Sequence, residues 1–258
     1  LLMASICAAM LALPGQTETT KYLNDLLIFL DGAYRISVGQ VPNRDFHTAL
    51  GPLTYYIPAA GYWLTGSLGA ALPVGTALFI MLIAPVMAYV LDSRMRPVVA
   101  LPFAALLLLI LAVPINLGES VTALSYGMFY NRLGWGVLAL LMVMYLPPNG
   151  IYRRGRLLDS LSGALLVTIL IYMKISYGLV AVAFLGFMLV ATQQRAWAAV
   201  ALVIMIAAGL AIEAVWRSSA AHIADLRLAA EVSGGVRGTI ADRVRLFLTN
   251  LPDFTLFA

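Results

Sequence analysis

Residues 97–115 read PVVALPFAALLLLILAVPI, nineteen positions without one charged side chain. A helix that crosses a bilayer needs about 20 apolar residues, within a range of ~17–25. The same character recurs on both sides of this stretch. Uncharged runs cover 133–152, 160–173, 175–194 and 196–212, and residues 52–91 contain no Asp, Glu, Lys or Arg. The whole chain is 62% hydrophobic and 11% charged, with a mean hydropathy of +0.93. Soluble domains carry about 25% charged residues. The sequence therefore reads as an all-α, multi-pass transmembrane helical bundle.

The net charge of +4 does not point to nucleic acid. Arg94, Arg96, Arg153, Arg154, Arg156 and Arg195 all fall between apolar runs, where the positive-inside rule places cytoplasmic loops. One cysteine, Cys7, allows no intrachain disulfide and no thiolate cluster. His47 and His222 sit in no metal-binding spacing such as HExxH. Residues 1–13 form an uncharged apolar run without a basic start, and 250–258 read NLPDFTLFA. The expectation is that the run is the second half of a first helix and that the chain is a piece of a longer protein.

With the arginine clusters inside, the order of spans follows. Residues 73–92 run inward, 98–114 outward, 133–148 inward, 158–173 outward, 176–192 inward and 196–216 outward. Loop 14–51, loop 115–131 and everything from Arg217 on then lie outside. Residues 51–66, GPLTYYIPAAGYWLTG, fit as a helix lying along the outer interface or re-entering it, with Tyr55, Tyr56, Tyr62 and Trp63 at headgroup level. A short span with reversed topology is the alternative. The tail 219–247 mixes charges with apolar residues. Leu226, Ala229 and Ala230 share one helical face, as do Ile240, Val244 and Phe247. It reads as two short helices capping the outer surface, and 217–258 as the start of an outer region.

The outer loop is where the acids gather. Residues 14–51 carry Glu18, Asp25, Asp31 and Asp45, four of the twelve acids. Charge beside a bilayer is excluded from the hydrocarbon and has to face water, a partner or a substrate.

Within the loop, residues 31–66 read DGAYRISVGQVPNRDFHTALGPLTYYIPAAGYWLTG. This string resembles the first outer loop of membrane glycosyltransferases of the GT-C fold, which include protein mannosyltransferases and aminoarabinose transferases. Their loop starts at an acid, runs through a short helix to a glycine and a proline, and closes on a Pro-Leu segment and an aromatic interfacial helix. Asp31 matches the leading acid, Gly39 and Pro42 the middle, and Gly51-Pro52-Leu53 the close. Many relatives carry Asp-Glu at the start. Here Asp31 is followed by Gly32, so Asp45 is the candidate second acid. FYNRLGW at 129–135 and IYMKISYG at 171–178 resemble two further outer segments of the family.

The resemblance implies a GT-C-like bundle whose residues 14–66 form an outer catalytic loop. It implies transfer of a sugar from a lipid-linked polyprenyl-phosphate donor to a glycan, lipid or protein acceptor. Some relatives use a divalent cation and others do not. The chemistry needs a base for the acceptor hydroxyl and cations for the charge growing on the leaving phosphate. Asp31 and Asp45 are the candidates for the first task; Arg35, Arg44, Arg132 and Lys174 are candidates for the second. Asn131 and His47 are further substrate-binding candidates, with a plain helix anchor and a plain loop histidine as the alternatives. Asp92 and Asp159 read as structural neighbours of the inner arginines. Two other functions stay open: a transporter or flippase for a lipid-linked or small polar solute, and an assembly subunit without chemistry.

Overall fold

The computed structural model describes residues 1–115, 119–120, 122–149, 155–191, 193–237 and 239–249. Expectations that rest on Arg153, Arg154, the pairing of Ile240 with Phe247, and residues 250–258 fall outside the described residues. The described chain is helical, in the order α1 (Leu2–Ala12), α2 (Leu23–Ser37), α3 (Leu53–Thr65), α4 (Leu68–Arg94), α5 (Pro97–Ala112), α6 (Phe129–Val143), α7 (Arg156–Met173), α8 (Ile175–Ala191), α9 (Arg195–Trp216), α10 (Ser219–Arg237) and α11 (Ile240–Thr249). Among the described residues β pairing is confined to two isolated bridges, Pro42 with Phe46 and Ile115 with Leu124.

Three helices, α4, α7 and α9, are long and apolar enough to cross a membrane. α1, α5, α6 and α8 are shorter apolar helices. On α9, Val200, Val203, Ile206 and Leu210 are exposed at helical spacing. A continuous bare apolar stripe of this kind is a liability in water and ordinary against lipid.

The helix ends collect at two poles. At one, the Asn149 amide donates to the Ser93 carbonyl at 2.7 Å, and Gln194 Nε2 donates to the Tyr145 carbonyl at 2.8 Å. Arg94 Nη2 and Asp159 Oδ1 meet there at 2.6 Å. At the other pole, the Thr20 amide donates to the Leu124 carbonyl at 2.8 Å and the Gly51 amide to the Met173 carbonyl at 3.0 Å. Helices α4 to α9 therefore alternate in direction between an arginine end and a loop end.

Two features of the first loop differ from expectation. Asp31 does not precede a short helix. It lies inside α2, which already begins at Leu23, because Leu26, Phe29, Ala33 and Ile36 are buried on one face at helical spacing and hold the helix in register on both sides of the acid. α3 is also less superficial than its tyrosines suggest. It folds back antiparallel along the first half of α4. A methyl at Gly61 would land on the Ala71 carbonyl, and one at Gly75 on the Ile57 carbonyl. Small residues let two helix backbones approach this closely. Trp63 at the exposed end of α3 keeps an outward position.

The end of α2 shows why a glycine stands at 39. The Gln40 amide donates to the Arg35 carbonyl at 2.9 Å and the Gly39 amide to the Ile36 carbonyl at 3.0 Å. This is a Schellman cap, and its left-handed residue is Gly39 at φ +91°. Gly51 serves a different need. A methyl there would collide with the Tyr172 carbonyl, so its absence lets the loop dock on the end of α7.

Candidate functional site

The exposed side of α2 carries Asp31 and Arg35, one helical turn apart. Arg35 Nε donates to Asp31 Oδ2 at 2.7 Å, and the Asp31 side chain remains 59% exposed. The Arg35 guanidinium also sits over the Phe46 ring, 5.6 Å from its centroid. Together with Ile28, Gly32, His47 and Tyr55 these residues line a concavity of about 200 Å³. The loop has thus brought Asp31, Arg35 and His47 to one small space.

Asp45 and Arg44 belong to a turn instead. Asp45 Oδ2 accepts the Val41 amide at 2.7 Å and Arg44 Nη2 at 3.1 Å. The Arg44 contact and the Val41 amide hold the Asp45 carboxyl below the usual carboxylate range. Asp45 is therefore occupied in closing residues 41–46, and Asp31 stands without it in the concavity.

His47 has a partner that local sequence gave no sign of. Its Nδ1 lies 2.7 Å from Asp225 Oδ1, while the ring is 84% exposed and Asp225 only 5%. Asp225 Oδ2 accepts Asn43 Nδ2 at 2.8 Å and the Thr48 amide at 3.0 Å. Burial alone would raise the Asp225 carboxyl; the hydrogen bonds from Asn43, Thr48 and His47 outweigh it and leave the group below its usual range. Asp225 is on α10, so this cluster pins α10 to the first loop. The tail sequence HIADLRL offers no spacing that would single Asp225 out; only the fold brings it to His47.

A second polar cluster lies where α7 gives way to α8. Lys174 interrupts the two helices with one extended residue, φ −161° and ψ 130°. Its Nζ donates to Asn131 Oδ1 at 3.3 Å, and the Tyr177 hydroxyl donates to the same oxygen at 3.0 Å. The ammonium also stands 5.2 Å from the Tyr130 ring centroid and 5.7 Å from that of Tyr177. Arg132 does not join them. It is buried, gives Nη1 to the Ser125 carbonyl at 3.3 Å, and keeps a buried Nε without a partner among the described residues. Successive helical residues point about 100° apart, so Asn131 facing Lys174 turns Arg132 elsewhere.

Beside the concavity runs a larger, mostly apolar groove of about 670 Å³ between α3, α7 and α9. Pro52, Leu53, Tyr56, Tyr172, Ile212 and Trp216 are among its walls, and Val41 of the loop reaches it. Burial raises the Tyr56 hydroxyl, and the charge of Arg44 acts on it in the opposite sense. Tyr55 and Tyr56 are consecutive on α3, and one lines the concavity while the other lines the groove.

No family model, curated protein or solved structure matches this chain. Among the described residues no three Asp, Glu, His or Cys side chains converge in a way that would hold a metal ion.

Proposed function

We propose that this protein is a membrane-embedded glycosyltransferase, acting at the outer face of a cell membrane on a sugar carried by polyprenyl phosphate. One observation carries the reading: consecutive residues of α3 line an apolar groove, through Tyr56, and a charged concavity, through Tyr55. A polyprenyl-phosphate sugar has the matching parts. Its isoprenoid chain suits the groove between α3, α7 and α9. Its phosphate then lies at the loop, near Arg44. Its sugar and the acceptor hydroxyl meet in the concavity.

The charges there suit the reaction. As the bond from the anomeric carbon to phosphate stretches, positive charge grows on the sugar and negative charge on the phosphate. The Asp31 carboxylate stabilises the first and binds acceptor hydroxyls. Arg44 stabilises the second, with Arg35 holding Asp31 in place. Groups fixed in advance toward developing charge are the largest source of catalysis in many sites. A transporter would draw on Lys174 at a helix break, but that break lies at the loop end rather than midway along the bundle.

The test is transfer by the purified protein in lipid nanodiscs, with polyprenyl-phosphate hexoses and pentoses tritiated in the sugar. Narrowing the groove with Ile212→Trp should raise the donor KM with little change in kcat. Asp31→Asn should lower kcat by about 10²–10³-fold, the usual cost of losing one fixed electrostatic contact. A folded protein that moves no sugar from any of these donors would rule the proposal out.

A further inference from the structure

We infer that the proton acceptor of this site is the His47 imidazole, set in its working tautomer by Asp225 of α10. The inference rests on the glycosyl-transfer reading above and names a base other than the acids of the first loop.

Burying an ionised acid is costly unless its oxygens are satisfied. Asp225 Oδ2 is satisfied by Asn43 and by the Thr48 amide. Oδ1 is given to the His47 ring, at 2.7 Å. An ionised carboxylate only accepts hydrogen bonds, so His47 Nδ1 carries the proton in this contact. In the neutral ring the lone pair is then on Nε2. His47 is 84% exposed and lines the concavity with Asp31, Arg35 and Tyr55. A solvated loop histidine needs no buried acid behind it, whereas a base needs an orienting partner of this kind.

The step balances. The acceptor hydroxyl oxygen attacks the anomeric carbon and forms the new glycosidic bond. The bond from that carbon to the phosphate oxygen breaks, and its electron pair leaves with the polyprenyl phosphate. The hydroxyl proton passes to His47 Nε2. The resulting imidazolium is stabilised by Asp225 and gives its proton to water when product departs. Asp225 acts only through the ring and is a positioning residue. Among the described residues, the charged or titratable groups lining the concavity with His47 are Asp31 and Arg35 on α2 and Tyr55 on α3. On α10, the ring of His222 feels the Asp225 charge.

The experiment uses the full chain in nanodiscs and the tritiated polyprenyl-phosphate sugars. His47→Gln should lower kcat by about 10²–10⁴-fold, the range for a lost general base, while donor KM holds and the acid limb of the pH–rate profile disappears. Asp225→Asn presents an amide to Nδ1 and favours the wrong tautomer. In the well-known serine-protease triad that exchange costs about 10⁴-fold in kcat. Asp225→Glu should recover part of the rate. A second readout needs no turnover. In a His222→Gln background His47 is the sole histidine, and its carbethoxylation by diethyl pyrocarbonate should slow when Asp225 becomes Asn. A parent protein without transfer sinks the glycosyltransferase reading, and this inference with it. Transfer by the parent, with turnover and acid limb kept in His47→Gln, overturns His47 alone. Equal carbethoxylation rates with and without the Asp225 charge overturn the orienting role.

Discussion

At the arginine end, Arg94 and Asp159 meet at 2.6 Å with side chains 0% and 3% exposed. At the loop end, Arg35 and Asp31 meet at 2.7 Å with 40% and 59% exposed. The residue types and distances are nearly the same, and the surroundings are opposite. Asp159 Oδ1 also accepts the Tyr89 hydroxyl at 3.0 Å, and Arg94 Nη1 donates to Ser93 Oγ at 2.7 Å. That pair is wrapped in packed helices and locks α4 to α7. Asp31 faces a concavity instead, with room beside it for another molecule. The difference teaches that ion-pair geometry does not separate a packed acid from an accessible one. What separates them is whether the carboxylate still has an open side.

The comparison breaks outright if the two ends lie on the same side of the membrane. With Cys7→Ser as background, cysteines at Ala49 and Arg96, both exposed, should label from opposite sides of intact cells. Ala49→Cys should react with an impermeant maleimide and Arg96→Cys should not. Ser93 would be a poor reporter, because it is fully buried.

Asp159→Ala should have the largest effect on stability. Removing one partner of a buried pair leaves an uncompensated charge and costs about 3–5 kcal/mol. A midpoint of thermal unfolding in detergent should fall sharply, and replacing both partners, Arg94→Met with Asp159→Leu, should recover most of it. The exposed pair should respond differently: Asp31→Asn should leave the midpoint nearly unchanged, since surface pairs contribute about 0–1 kcal/mol. Equal losses at the two ends would erase the distinction.

Acid should loosen the loop end first through Asp225. Its folded carboxyl titrates below the usual value, so its contribution is fully present above the unfolded value of about 3.9 and is lost as pH falls through the folded one. Protection of the Thr48 amide against hydrogen exchange should drop over that acid range, before α7 amides respond. Protection that stays constant through the range would remove Asp225 as the anchor of α10.

The smallest effect is expected at Lys174. Lys174→Met keeps the stem and removes an ammonium held between Tyr130 and Tyr177. A partly desolvated cation–π contact is worth about 0.5–2 kcal/mol, so the thermal midpoint should shift by that little. A large rise in donor KM in the same variant would move Lys174 from an anchor between aromatic rings to the donor phosphate.

The sequence alone determined the helical class and the order of apolar segments, because hydropathy and length are properties of a stretch taken by itself. The run around 97–115 became α5, and those at 160–173 and 196–212 became α7 and α9. Asp159 read as a neighbour of the inner arginines, and Arg94 is its partner. The candidate site was legible only in part. Asp31, Arg35 and His47 could be nominated because acids and cations stand out in an apolar chain. Which of them share a space could not, since Asp45 lies as near in sequence and turns inward on Val41 and Arg44. Arg132 follows Asn131 directly and still faces away from Lys174, because one step along a helix is about 100° of rotation. Asp225 reaches His47 across 178 residues. Only tertiary structure decided that contact, since a charge finds its partner through space and the chain pattern records only its neighbours in line.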